Sequence, residues 1–140
     1  MSLYRVHSII DDQPTFDVPL AQILAECAEG GAIEVLSPID YHTAQQRRWY
    51  KGICLRGLSE WNGDTPEEWD YRLKVACGGE LLKTQPVYLG RLSTGQPMVV
   101  DRLTIVGVGK RNMTAFIENV LSKAITEGWP VTPPDAELRR

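Results

Sequence analysis

The feature of this sequence that most constrains its fold is the apolar periodicity of residues 113–127. Seven apolar side chains recur there at intervals of three and four residues, which places them along one stripe of an α-helix. Asn112 is the expected N-cap of this helix, and Gly128 is a typical stop. A helix with so continuous a stripe must bury it against other elements. The stripe consists of Met113, Phe116, Ile117, Val120, Leu121, Ala124 and Ile125.

Capping signals predict two further helices. Thr43 and Gln46 have the spacing of a capping box, which predicts a helix from residue 43 to about residue 61. Residues 65–68 (Thr-Pro-Glu-Glu) repeat that spacing with proline at the first helical position, and the glycines at 78–79 end the helix that follows.

Strand patterns complete the fold prediction. Residues 3–10 favour a strand, residues 18–29 an amphipathic helix, and residues 32–36 a second strand, which together form a strand-helix-strand unit. Two apolar runs within residues 81–106 flank the turn signal at 93–96, which indicates a strand pair. The expected class is α+β, with a small mixed sheet packed against three further helices.

Size and composition indicate a single soluble domain. The 140 residues, 43% of them hydrophobic, predict one domain over residues 1–128, followed by an extended proline-rich exit and a polar tail over 129–140. No apolar run approaches the roughly 20 residues that cross a bilayer, so no membrane association is expected. Cys27, Cys54 and Cys77 show neither disulfide nor metal-ligand spacing, as expected in a reducing cytosol.

Catalytic motifs are incomplete. Residues 107–110 (Gly-Val-Gly-Lys) lack the upstream glycine and the following hydroxyl of a phosphate-binding loop, although a helix start beside Lys110 and Arg111 would still attract phosphate. His42 and Cys54 are about 18 Å apart along one helix, too far for a nucleophile and its base.

Charge is unevenly distributed. The net charge is −3, but residues 1–40 contain one basic and seven acidic side chains, whereas residues 41–112 contain eleven basic and seven acidic ones. Fields at a protein surface follow local charge within a Debye length of about 8 Å. A basic working face is therefore compatible with an acidic chain.

The predicted second helix separates an apolar arc from a basic one. Arg47, Arg48 and Lys51 lie on the basic side, with Arg56 further round, and the first three have no acidic residue three or four positions away. Cations in a first turn oppose the helix macrodipole, and such exceptions concentrate at functional sites. A solvated face neutralised by Asp40 or by the acidic first third explains them equally well. The predicted core arc is Gln46, Trp49, Tyr50, Ile53, Cys54, Gly57 and Trp61.

A second basic cluster surrounds the predicted strand pair. Basic strands with the aromatic Tyr88 suit single-stranded nucleic acid, because bases stack on aromatic rings. The alternative is a strand pair whose alternate residues simply face solvent. The cluster consists of Lys83, Arg91, Arg102, Lys110 and Arg111.

Several segments in order resemble the NinB/Orf family of phage recombination proteins. They are residues 41–50, 60–63 and 65–69, and then the helix over 113–128 with its proline-rich exit. The resemblance spans about residues 5–135. The family often has Asn where this chain has Arg47, and residues 81–110 match poorly.

The resemblance implies a homodimeric mediator, not an enzyme. Such a protein binds single-stranded DNA, associates with the single-strand binding protein of the bacterial host, helps to load recombinase in the cytoplasm and needs no cofactor or metal. The last helix is a candidate for the symmetric interface. The expected DNA-binding residues are Arg47, Arg48, Lys51, Arg56, Lys83, Arg91, Arg102, Lys110 and Arg111.

Two alternatives remain open at this point. One is a protein-interaction adaptor that docks through the last helix and the proline-rich exit without touching nucleic acid. The other is a metal-dependent nuclease that uses Asp64, Asp70 and Asp101.

Overall fold

A computed structural model describes residues 3–140 and confirms the α+β class. Where the sequence predicts one domain over 1–128, the chain divides into a first compact unit ending at Val35 and a second unit, Leu36–Arg140. The chain contains helices and two antiparallel strand pairs, and each strand pair is confined to one unit.

The first unit begins with a β-hairpin. Strand β1 (Val6–Ile10) pairs antiparallel with β2 (Gln13–Phe16) across a two-residue loop. Asp11 and Asp12 both adopt positive φ there, as the central residues of a type I′ turn must. The sequence prediction missed β2 because Pro14 normally ends a strand, but proline is tolerated on an edge strand such as this one.

Helix α1 (Leu20–Cys27) confirms the helix predicted over 18–29. The strand predicted over 32–36 is wrong, and the strand-helix-strand unit with it. A strand needs a hydrogen-bonded neighbour, and no described strand lies beside this segment. Ile33 and Val35 are instead 75% and 90% exposed.

The second unit begins with α2 (Pro38–Trp49), which starts earlier than predicted. Ser37 is the N-cap, because its Oγ accepts a hydrogen bond from the Asp40 backbone N–H at 3.1 Å. The capping box predicted at Thr43 is wrong. Thr43 lies inside the helix and donates its hydroxyl hydrogen to the Asp40 carbonyl at 3.1 Å.

A π-helical turn rotates the core-facing side of this helix. The turn (Tyr50–Leu55) joins α2 to α3 (Arg56–Asn62) without a break in helical backbone conformation. Because a π-turn contains an extra residue, the side chains that follow it are displaced from the regular helical wheel. Leu58 is therefore fully buried, whereas Ile53 and Trp61, both predicted in the core, are about half exposed.

Helix α4 (Pro66–Leu73) confirms the second predicted capping box. Thr65 Oγ1 accepts from the Glu68 backbone N–H at 3.2 Å, and Glu68 Oε2 accepts from the Thr65 N–H at 2.9 Å. A second π-turn (Lys74–Gly78) extends the helix, and a 3₁₀ turn (Gly79–Leu81) follows at the predicted end.

The predicted strand pair is confirmed as a long hairpin. Strands β3 (Lys83–Arg91) and β4 (Pro97–Thr104) pair antiparallel, with a bulge between Tyr88 and Gly90. Side chains on both faces of this ribbon are exposed over most of its length.

Helix α5 (Lys110–Glu127) confirms the predicted stripe but begins earlier, with Gly109 rather than Asn112 as N-cap. Six of the seven stripe residues are buried, and Ile125 is 83% exposed. The stripe therefore packs in the core of its own unit, which removes the basis for a symmetric interface through this helix. That core consists of Trp49, Tyr50, Cys54, Leu55, Leu58, Trp69, Leu73, Cys77, Leu82, Ile105, Val108, Met113, Phe116, Ile117, Val120, Leu121 and Ala124.

The last twelve residues, for which the sequence predicts an extended exit and a polar tail, contact this core at several points. The indole N–H of Trp49 donates to the Thr132 carbonyl at 2.9 Å, and the Trp129 ring meets the Trp69 ring edge-on at 5.0 Å. A 3₁₀ turn (Ala136–Arg139) ends the chain with Leu138 packed against the core.

The π-turn makes a testable difference between two apolar side chains. We expect Leu58→Ala to lower the free energy of unfolding by roughly 2 to 5 kcal/mol, because it removes a fully buried side chain. Ile53→Ala, half exposed, should cost about 0.5 kcal/mol or less. Urea unfolding of both variants measures the difference. A larger loss of unfolding free energy for Ile53→Ala than for Leu58→Ala would show that the regular helical wheel describes this segment correctly.

Candidate nucleic-acid interface

Three cations on the helix that begins at Pro38 have no ionic partner among the residues that the structure describes. We call Arg47, Arg48 and Lys51 the mid-helix cations, since they lie well beyond the Ser37 cap and not in a first turn as predicted. The macrodipole argument therefore does not apply to them. Arg48 and Lys51 are exposed and Arg47 is half-buried, and within residues 3–140 no carboxylate lies within 4.0 Å of any of the three.

Arg56 differs from the mid-helix cations because it is paired. Its Nε lies 3.0 Å from Glu60 Oε1, one turn further along α3. The pair is exposed and locally neutral, so Arg56 adds less to a positive surface than its charge suggests.

The cations of the hairpin are spread along the ribbon. In the β-ladder, Lys83 faces Thr104 at the base, Arg102 faces Gln85, and Arg91 lies at the tip. With a rise of about 3.4 Å per residue, base and tip are roughly 27 Å apart. Tyr88 is 58% exposed between them, so the structure presents a ring and cations on an open ribbon but does not gather them into one cluster.

The sequence predicted unfavourable first-turn cations in the second helix. The structure has this arrangement at the start of α5 instead. Lys110 and Arg111 occupy its first two positions, the N-cap Gly109 has no side chain to cap with, and no acidic residue lies in the first turn. Each cation there costs roughly 0.3 to 1 kcal/mol against the helix macrodipole. With Thr114 and Arg140 they line an open depression of about 390 Å³, which we call the α5 depression.

A buried glutamine holds one wall of the α5 depression. Gln46 is fully buried, and its Nε2 donates to Thr114 Oγ1 and to the Leu138 carbonyl, both at 2.9 Å. Its Oε1 has no partner among the described residues. The sequence assigned Gln46 to a helix cap; it instead joins α2, α5 and the end of the chain.

An ion pair fixes the residue before Arg140. Arg139 Nε lies 2.7 Å from Glu118 Oε1, and its Nη2 donates to Oε2 at 3.0 Å, so the guanidinium and the carboxylate meet in a two-pronged geometry. These hydrogen bonds lower the pKa of Glu118 and raise that of Arg139. The chain end is thereby held against α5, with Arg140 at the depression.

His42 is a titratable group on which the charge of Lys110 acts. Its Nε2 is buried without a hydrogen-bond partner among residues 3–140. Burial and then the positive charge of Lys110 lower the pKa of His42, while Glu137 acts in the opposite direction. The neutral imidazole is therefore favoured at neutral pH.

The other chemically active side chains serve the fold. Burial raises the pKa of Cys54 to about 12 and also raises the pKa of Cys77, so both remain thiols, as expected of core cysteines. Cys27, half-buried, lies at the end of α1.

The aspartates of the nuclease alternative are engaged separately. Asp64 is held by Arg72 at 3.0 Å, and this hydrogen bond lowers its pKa. Asp70 accepts from Tyr50 Oη at 2.7 Å and from Lys74 Nζ at 2.6 Å, whereas Asp101 lies on the hairpin. In the part of the chain that the structure describes, no three His, Cys, Asp or Glu side chains form a metal-binding group.

Comparisons with protein-family models, curated proteins and solved structures gave no match to this chain. No helix among the described residues is long and apolar enough to cross a membrane. Sequence reasoning identified Lys110 and Arg111 but missed Thr114, one turn further along the same helix, and Arg140, which joins the site only through tertiary contacts. Any functional conclusion therefore rests on the geometry of these side chains.

The pKa of His42 predicts a pH dependence of stability. A histidine whose pKa is lowered by folding stabilises the fold fully above its unfolded value of 6.5, and this contribution is lost as pH falls below that value. The free energy of unfolding should therefore decline from pH 7 to pH 5, and His42→Gln should flatten the decline. Chemical denaturation across this range measures it; identical slopes for the two proteins would contradict the assignment.

Proposed function

We propose that this chain is a phage-type accessory recombination mediator that binds single-stranded DNA without base specificity and cooperates with the host single-strand binding protein to load recombinase. The observation that carries the proposal is a set of cations in the second unit that have no carboxylate partner among residues 3–140. Guanidinium groups with free donors suit bidentate phosphate contacts. The set consists of the mid-helix cations and the three cations of the α5 depression: Arg47, Arg48, Lys51, Lys110, Arg111 and Arg140.

Backbone contact rather than base readout follows from the kinds of side chain present. Arginine and lysine neutralise phosphates on any sequence, and phosphate contacts alone carry no sequence information. On the hairpin, exposed Tyr88 is suited to stack on a base, with Arg91 and Arg102 on the same ribbon. The ribbon is thus an additional contact for an unpaired strand.

The homodimer and the partner protein are part of the same proposal. In the first unit no side chain from residue 3 to residue 35 is buried, and Ile9, Leu20 and Leu24 are each at least half exposed. A two-stranded hairpin is marginally stable alone. Apolar surface of this kind supports association with a second copy or another protein, in the cytoplasm of a bacterial host.

Two observations weigh against the particular surfaces and residues that the adaptor and nuclease alternatives use. The adaptor requires the last helix and the proline-rich exit as free surfaces, but six stripe residues are buried and Trp129 and Thr132 are engaged by the core. The nuclease requires three aspartates together, and Asp64 and Asp70 are occupied by different partners of the same chain.

Salt dependence tests the electrostatic mechanism. If six cations each neutralise one phosphate of a single strand, the slope of log Kobs against log salt concentration should be roughly −4. Titration of a labelled oligothymidine at several salt concentrations gives this slope. A flat response would remove the electrostatic mechanism, and failure to bind at low salt would favour the adaptor.

Substitution of the mid-helix cations tests how much they contribute to DNA binding. The triple variant Arg47→Ala, Arg48→Ala, Lys51→Ala should make the salt slope shallower by about 2 and weaken binding, since three phosphate contacts are lost. Its unfolding midpoint should change little, because no ion pair is broken. Lys123→Ala, which removes a cation paired with Glu127 at 3.1 Å, is the control and should bind nearly as well as the parent. Unchanged binding by the triple variant would make this surface incidental.

A further inference from the structure

The α5 depression differs in form from the other basic surfaces of the chain. The mid-helix cations lie along a helix surface, and the hairpin cations are spread over an open ribbon. The α5 depression instead combines three cations from two chain segments with a helix start and a hydroxyl group. This combination suits one compact anion rather than an extended row of phosphates.

We propose that the α5 depression binds a phosphomonoester, and specifically the terminal phosphate of a DNA strand. The inference rests on the proposed function for the identity of that strand. Non-specific backbone contact does not require such a ligand group. A terminal phosphate lies at an end of the DNA strand and has three terminal oxygens, whereas an internal phosphodiester has two.

Charge is the first argument. A phosphodiester carries one negative charge, whereas a phosphomonoester carries between about 1.5 and 2 at neutral pH. Lys110, Arg111 and Arg140 supply three positive charges at the depression, and their side chains have no carboxylate partner within residues 36–140. The first backbone N–H groups of α5 add donors of the same polarity, because Gly109 offers no side chain to occupy them.

Thr114 supplies a directed donor. Its Oγ1 accepts the hydrogen bond from Gln46 Nε2 at 2.9 Å, and its own hydroxyl hydrogen has no acceptor in the described chain. A hydroxyl that already accepts one bond is free to donate to a ligand oxygen. Because Gln46 is fully buried and also bound to the Leu138 carbonyl, the position of Thr114 Oγ1 is fixed by the fold.

Two residues that interact with the lining of the depression carry buried polar atoms without partners: Gln46 binds Thr114, and the charge of Lys110 acts on His42. Gln46 Oε1 and His42 Nε2 are both buried and without partners among the described residues. Buried polar groups are nearly always paired, often with an ordered water, so each of these two atoms is suited to bind a water molecule. A phosphate in the depression would act on His42 through charge, because its negative charge would oppose the effect of Lys110; Glu137 is the other charged group that acts on this imidazole.

The decisive measurement compares strand ends. Internally labelled oligothymidines of one length, carrying a 5′-phosphate, a 3′-phosphate or only hydroxyl ends, are titrated with the full chain by fluorescence anisotropy. We expect one phosphorylated end to bind about tenfold more tightly than the hydroxyl ends, as a charge-assisted hydrogen bond is worth roughly 1.5 kcal/mol. Equal affinity for all three strands overturns the terminal-phosphate site and leaves the proposed mediator function intact.

Variants locate the preference. Lys110→Gln with Arg111→Gln should weaken binding of all three strands, because both side chains belong to the six cations of the proposed function, and should reduce the phosphorylated and hydroxyl strands to equal affinity. Thr114→Ser should keep the preference and Thr114→Val should reduce it, because only serine retains the hydroxyl. Lys123→Gln, a cation on the same helix that is paired with Glu127, is the matched control. A preference that survives the double variant would place the terminal phosphate elsewhere and overturn the inference.

A DNA-independent arm separates this inference from the proposed function. Inorganic phosphate and thymidine 5′-monophosphate are titrated while the amide NMR signals of residues 110–112 and the ring signals of His42 are followed. If no oligonucleotide binds, the mediator proposal fails. Saturable shifts would then support a phosphomonoester site for a free ligand, and their absence would overturn the site as well.

Discussion

The arrangement of the second unit depends on the amide group of Gln46. This one buried side chain donates to Thr114 on α5 and to the carbonyl of Leu138 near the chain end, so three separate segments meet at a single amide. Each such bond contributes about 1 kcal/mol net, but leaving a buried donor unpaired costs roughly 1 to 3 kcal/mol. An alternative packing of α2 against α5 that left this donor unpaired would therefore cost more free energy than one of these hydrogen bonds contributes to the observed packing.

The unfavourable start of α5 is tolerated because the rest of that helix is well packed. Lys110 and Arg111 lie at the positive end of the macrodipole, which costs about 0.6 to 2 kcal/mol for the pair. Six buried apolar side chains further along the helix contribute several times that amount. The helix start can therefore remain electrostatically frustrated in the unliganded protein, and an anion placed there relieves the frustration directly.

The sequence predicted local features well and tertiary ones poorly. The Thr65 capping box and the α5 stripe were correct because their signals are complete within a few residues. The core positions predicted for Ile53 and Trp61 were wrong, because a π-turn changes the periodicity that the helical wheel assumes. Residues 32–36 failed for another reason: β-propensity does not reveal whether a partner strand exists.

The same difference between local and tertiary features explains which residues of the α5 depression could be predicted from the sequence. Lys110 and Arg111 were identified because they follow a glycine loop and precede an apolar stripe, but Arg140 is remote in sequence and is held at the depression through the Arg139 and Glu118 pair. A net charge of −3 gives no hint of this, since seven acidic residues lie within positions 1–40 and the unpaired cations lie beyond them. With screening over about 8 Å, a polyanion approaching α5 responds to the three cations there and not to the sum over the chain. Local charge without internal partners, rather than overall basicity, is thus the physical requirement for binding phosphate on an acidic protein.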